Sequence, residues 1–147
     1  MKMMNFYFAG SIRGGRDRAC DYQQIVAFLK TFGNVLTEHI CNRDLTANGE
    51  PYSDQEIYER DIGLIRQADI LVSEVTQPSL GVGYEIGFAE ALRIPVIALY
   101  KQSAGRLSAM IRGNPYVAVL RYSDVEELKI ILKRKIETCL KESGKND

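Results

Sequence analysis

At 147 residues, 46% of them hydrophobic and 26% charged, the chain is long enough for one globular domain with a sizeable core. Lys plus Arg and Asp plus Glu stand at 19 each, so there is no electrostatic footprint for a nucleic-acid polymer or an anionic membrane, and any phosphate recognition has to be local. Three cysteines without metal-ligand spacing (Cys20, Cys41, Cys139), no signal-peptide pattern and no apolar run near ~20 residues point to a cytoplasmic protein with reduced thiols.

Residues 3–9 read as a first strand, aromatic-rich and short, and residues 10–16 as a loop of glycines, a serine and two arginines. Asp17 is the expected N-cap of a helix carrying Tyr22, Ile25, Val26 and Leu29 at helical spacing, with Gly33 as its stop. A second short strand is expected over 35–37, then a polar connection over 39–52 with Asn48-Gly49 and Pro51 as turn signals. Ser53 and Glu56 form a capping box that opens a helix to about Gln67. The third strand spans 69–75, the third helix 82–92, the fourth strand 95–100, a short helix 107–112 closed by Gly113, and the fifth strand 116–120. A second capping box over 123–126 opens the last helix, whose stripe is Val125, Leu128, Leu132, Ile136 and Cys139; residues 143–147 read as a frayed tail.

Strict alternation of strand and helix implies an α/β fold. The expectation is a single domain, 1–147, with a doubly wound five-stranded parallel sheet in the order 2-1-3-4-5 and helices on both faces. The switch point then lies between strands one and three, so the loops after them face one crevice. The first offers Gly10, Ser11, Ile12 and Arg13, the second Ser79 and Gly81. Small residues with free N–H groups and a guanidinium suit a phosphate, although an ordinary turn with solvated arginines has the same composition.

Two carboxylates sit in apolar surroundings. Glu85 has Ile86, Phe88, Ala89 and Leu92 as helical neighbours, and Asp61 lies four residues from both Ile57 and Ile65 on the stripe of its helix. A buried ionised carboxylate is costly unless it is paired or shifts its pKa. Glu85 could instead be an anion favoured by a helix N-terminus, and Asp61 could be satisfied by Arg60 or a backbone N–H. Two carboxyls in different environments can divide the roles of nucleophile and proton donor, which is the chemistry of glycosidic cleavage. Tyr7, two residues from the end of the first strand, either orients Glu85 or packs with its hydroxyl at the rim. His39 is the single histidine, in the loop after strand two; Ser108 and Arg112 lie on the short helix after strand four.

Residues 6–16 (FYFAGSIRGGR), 36–39 (LTEH), 74–87 (EVTQPSLGVGYEIG) and 108–113 (SAMIRG) together resemble the 2'-deoxynucleoside 5'-phosphate N-hydrolases of the nucleoside 2-deoxyribosyltransferase superfamily. The resemblance covers nearly the whole chain, and the block at 74–87 is its most specific part. It implies hydrolysis of the N-glycosidic bond of a 2'-deoxynucleoside 5'-monophosphate through a covalent glycosyl-Glu85 intermediate, with Asp61 as the acid and Tyr7 holding the nucleophile and crowding the 2' position. It also implies a 5'-phosphate cradle of Ser11, Arg13, Ser79 and Gly81, completed in a homodimer by Ser108 of the neighbouring subunit. Gly10, Ile12, His39 and Met110 complete the expected substrate contacts, and no metal or organic cofactor is implied. The competing readings are a nucleoside 2-deoxyribosyltransferase, which hands the sugar to a second base, and a non-catalytic nucleotide-binding module.

Overall fold

Side chains at alternate positions of a strand face opposite sides of a sheet, and the first strand uses both sides for burial. In the computed structural model, which describes residues 3–11, 19–37, 50–102 and 105–145, β1 (Met4–Gly10) sends Phe6 and Phe8 to one core and Tyr7 and Ala9 to the other. The remaining elements follow in order: α1 (Ala19–Leu29), β2 (Gly33–Val35), α2 (Asp54–Gln67), β3 (Ile70–Glu74), α3 (Leu80–Ala91), β4 (Val96–Lys101), α4 (Ala109–Arg112), β5 (Val117–Tyr122) and α5 (Val125–Gly144). The five strands form one all-parallel sheet in the order β2-β1-β3-β4-β5, as the alternation implied. The expected N-cap Asp17, the loop residues Ile12 and Arg13, and most of the polar connection, His39 and Cys41 included, lie outside the described residues.

The first core joins β1, β3 and β4 to α1 and α5 through Phe8, Tyr22, Leu29, Val72, Leu99, Leu132 and Ile136. The second lies on the opposite face, under α2 and α3, and contains Tyr7, Ile65, Leu71, Val82, Ile86 and Ala89. Tyr7 therefore sits on the same side of the sheet as the two helices that carry Asp61 and Glu85.

Several boundaries move for physical reasons. Gly33 opens β2 rather than stopping α1: a Cβ there would lie 2.1 Å from the Met4 carbonyl oxygen, so only glycine permits the close approach of β2 to β1. Thr37 lies beyond that short strand, where its hydroxyl accepts from the Phe8 N–H at 2.8 Å and donates to the Phe8 carbonyl at 2.6 Å. Gly10 is required by the Tyr22 ring, which a Cβ would meet at 2.8 Å. The capping box at Ser53 forms, with Ser53 N–H donating to Glu56 at 2.8 Å and Glu56 N–H donating back at 3.2 Å. The last helix shifts its cap by one: Asp124, not Ser123, accepts from Glu127 N–H at 2.8 Å, and Glu127 accepts from Ser123 N–H. That helix runs to Gly144, past the expected start of the tail.

At the carboxyl end of the sheet, β1 ends at Gly10 beside Glu74 of β3. Glu74 is buried, at 1% exposure, in a fully buried strand. Its carboxylate accepts from the Thr76 N–H at 2.6 Å and from the Tyr122 hydroxyl, while Thr76 Oγ1 accepts from Lys101 N–H at 3.0 Å. The turn from β3 into α3 is thereby tied to β4 and β5 before the helix begins. Tyr122→Phe removes one donor from this buried carboxylate and lowers stability by about 1–3 kcal/mol in urea unfolding at neutral pH; a loss under about 0.5 kcal/mol would show that the contact carries little of the loop's anchorage.

Candidate active site

The turn after β3 places α3 so that its first residue is Leu80, with Ser79 as N-cap accepting from Val82 N–H at 3.3 Å. The expected start at Val82 moves two residues earlier, because the serine hydroxyl satisfies a free amide of the first turn. Glu85 consequently falls in the second turn, and no acidic residue occupies the first. The helix N-terminus therefore does not account for this carboxylate.

Glu85, Asp61 and Tyr7 converge. The Tyr7 hydroxyl and the Glu85 carboxyl each act on the other's proton affinity, and the Asp61 charge acts on both groups. Three elements supply the three side chains: β1, α2 and α3. Burial raises the pKa of Glu85 to about 8; the Asp61 charge adds to the rise, while the Tyr7 hydroxyl and the Arg60 guanidinium oppose it. The Tyr7 phenol is raised well above its usual value by burial and then by the two carboxylates, so it stays a neutral donor. Asp61 is half-buried and satisfied as one alternative foresaw: Arg60 Nε donates to its Oδ1 at 2.9 Å.

At rest the proton thus favours Glu85, and Asp61 faces a cation.

The other expected contacts among the described residues are Gly10, Ser11, Ser79, Gly81, Ser108 and Met110. Ser11 is fully buried and its carbonyl accepts from the Tyr22 hydroxyl at 3.5 Å. Ser79, Ser108 and Met110 line a cavity of about 660 Å³ between α3, the end of β4 and α4, which none of Tyr7, Asp61 and Glu85 lines. Gly81 is exposed beside Ser79, its nearest neighbour for an added Cβ being Ser79 Oγ at 3.9 Å. Ser108 caps α4 rather than lying within it, accepting from Met110 N–H at 3.3 Å, and Met110 is 81% exposed. Two residues near the site were not foreseen. Glu74 anchors the β3–α3 turn, and its signal was a carboxylate inside an apolar strand run. Glu50 holds Arg60 at 2.7 Å, and no local pattern marks it.

Comparison with known proteins gives the family and the fold. Residues 6–140 match the sequence model of the family described as nucleoside 2-deoxyribosyltransferase. The chain is 49% identical over 140 residues to the 5-hydroxymethyl-dUMP N-hydrolase of Mus musculus, covering 91% of this chain and 80% of that protein. It is 46% identical over 143 residues to the protein of the same name in Danio rerio, covering 94% and 99%. The solved CMP N-glycosidase of Clostridium botulinum shares the fold, with a TM-score of 0.63 at 20% identity over 88% of this chain and 98% of that one.

The raised Glu85 pKa has a stability consequence. Between pH 4.5 and about 8 the folded chain keeps a proton that the unfolded chain has released, so stability falls as pH rises through that window. Glu85→Gln lacks this dependence. Its melting temperature relative to wild type should climb from pH 5 to pH 8.5, equivalent to roughly 2–4 kcal/mol once partial exposure is discounted. A constant difference would mean that Glu85 titrates as an ordinary carboxylate.

Proposed function

The chain belongs to the nucleoside 2-deoxyribosyltransferase family, and from that premise we propose that it hydrolyses the N-glycosidic bond of 2'-deoxynucleoside 5'-monophosphates, releasing the free base and 2-deoxyribose 5-phosphate. The observation that carries the reading is the convergence of Glu85, Asp61 and Tyr7 from three separate elements. The relatives named N-hydrolases of 5-hydroxymethyl-dUMP support the substrate class.

In the proposed reaction the dyad enters with one proton, carried on Asp61 at the moment of attack. A Glu85 oxygen bonds to C1' as the C1'–N bond breaks; its electron pair goes to the base nitrogen, which takes the Asp61 proton. A 2'-deoxy sugar lacks the electron-withdrawing hydroxyl that opposes positive charge at C1', so two carboxyls suffice. Water then attacks C1', Asp61 takes its proton, and the ester to Glu85 opens with retained configuration. Tyr7 donates to the Glu85 oxygen that must be ionised, favouring the nucleophilic form, and its ring crowds the 2' position. Burial of Glu85 raises its basicity and so strengthens it as a nucleophile once it is ionised.

The 5'-phosphate is held by Ser11, Arg13, Ser79 and Gly81, with the exposed Ser108 supplied across a homodimer, and Met110 is a further substrate contact. Serines rather than an acidic group around the 5' end favour a phosphate over a bare hydroxyl. Gly10, Ile12 and His39 complete the substrate contacts. The sparse, odd set of cysteines fits a cytoplasmic setting, where nucleotides are handled.

Incubation with the four deoxynucleoside monophosphates and 5-hydroxymethyl-dUMP tests the reading by release of base and 2-deoxyribose 5-phosphate. Wild type should release base from at least one of them and far less from the matching ribonucleotide, and Glu85→Gln should lose at least a thousandfold in kcat. Base exchange with an added free base and no net hydrolysis would make it a transferase; tight nucleotide binding without turnover would make it a binding module. Ser108→Ala should raise KM for the monophosphate several-fold with kcat little changed, and an unchanged KM would remove this residue from the phosphate site.

A further inference from the structure

One guanidinium beside the carboxyl pair is held on three sides. Arg60 donates from Nε to Asp61 Oδ1 at 2.9 Å and from a terminal nitrogen to Glu50 Oε2 at 2.7 Å. Its guanidinium carbon lies 5.8 Å from the centroid of the Tyr52 ring. The Glu50 side chain is 6% exposed, against 30% for Arg60 and 19% for Asp61. Successive residues of a helix point about 100° apart, so a bond from Arg60 to its own neighbour requires the guanidinium to be turned back along the helix. Glu50, outside α2, is placed to impose that turn. An unanchored surface arginine would sample many rotamers and deliver its charge nowhere in particular.

Among the described residues, the charged and titratable groups acting on Glu85 are Tyr7 from β1 and Asp61 and Arg60 from α2. On its own helix, Tyr84 is turned outward, its ring edge to face with the exposed Tyr58. Arg60 is the cation in this set, and its influence favours the ionised forms of both Glu85 and Tyr7. A carboxylate oxygen that accepts from a guanidinium is a poor site for a proton.

We propose that Arg60, anchored by Glu50 and Tyr52, is a positioning residue that orients Asp61 through its Oδ1 and whose charge sets the pH window of the reaction. The proposal rests on the reaction proposed above. Its sign does not depend on which carboxyl holds the resting proton. Removing a nearby cation makes the pair bind both its first and its second proton more tightly, so both limbs of a bell-shaped profile move to higher pH.

The experiment is the pH dependence of kcat/KM for wild type, Arg60→Gln and Arg60→Lys with 5-hydroxymethyl-dUMP and dGMP, beside thermal melts and a carbon-13 NMR titration of Glu85 in the ligand-free proteins. Arg60→Gln should shift both limbs, and the Glu85 midpoint, upward by about half a pH unit or more. Arg60→Lys, which keeps the charge and is the variant least exposed to folding failure, should restore at least half of that shift while remaining slower than wild type. A loss of kcat/KM that is uniform with pH, with the Glu85 midpoint unmoved, would overturn the proposal and leave Arg60 a structural tie. So would a Lys variant shifted as far as the Gln variant. The NMR titration does not require turnover, so it decides the electrostatic role even where wild type proves inactive, an outcome that would strike the proposed reaction instead.

Discussion

The structure turns on bringing two acidic side chains, Asp61 and Glu85, within electrostatic reach of each other under partial apolar cover. Burial raises the proton affinity of Glu85, and the Asp61 charge adds to the effect. Such an arrangement opposes folding locally, because the ionised pair is better solvated in the unfolded chain. It persists because the surrounding elements are fixed by contacts that do not involve it: the parallel sheet, two apolar cores and the capped helices.

The sheet and two helices act together to set the geometry. Alternation along β1 delivers Tyr7 to the face where α2 and α3 pack, while Phe6 and Phe8 go to the other. The outer seam between those helices is laced by aromatic contacts. Tyr58 meets Tyr84 edge to face with centroids 6.4 Å apart, Tyr84 stacks on Phe88 at 6.5 Å, and Arg66 lies over Phe88 at 5.2 Å. These exposed rings draw α2 and α3 together on the solvent side, and Ile65 and Ile86 do so from below. Asp61 and Glu85 lie between the two layers. The aromatic lacing thus sets the spacing of the acids without touching them, a role that single-ring energies of about 0.5–1.5 kcal/mol can support collectively.

Much of this was legible in the chain. Alternating elements fixed the sheet order, and period-2 and period-3.6 patterns located both acids as anomalies on apolar segments. What the patterns could not carry was anything set by non-local approach. Gly33 looks like a helix stop, yet it is demanded by the Met4 carbonyl of the neighbouring strand. Glu85 looked like a first-turn anion until the Ser79 cap moved the start of α3 by two residues. The Glu50–Arg60 link joins a loop to a helix, with no period to betray it. Arg60 itself was visible as a partner for Asp61, but its anchorage was not. The loop blocks holding Arg13 and His39 were readable only as composition and as family resemblance.

Helix α3 presents two chemically different sides, and this explains how a short segment serves a site of several parts. Val82, Gly83, Ile86, Gly87 and Glu90 line the cavity toward α4, whereas Glu85 turns to Tyr7 and Asp61. The glycines at 83 and 87 leave open space where a Cβ would stand, so the cavity side of the helix stays shallow and its backbone approachable. Glu74 ties the turn that feeds this helix to Tyr122 and, through Thr76, to Lys101. Any displacement of that turn would move Ser79 at the helix start and Glu85 one and a half turns later as a single body, because a helix transmits translation along its axis nearly rigidly. In the proposed reaction the group that grips the 5' end and the group that attacks C1' therefore keep a fixed separation. A shift that loosened one would misplace the other, which makes the buried Glu74 carboxylate a determinant of alignment at both.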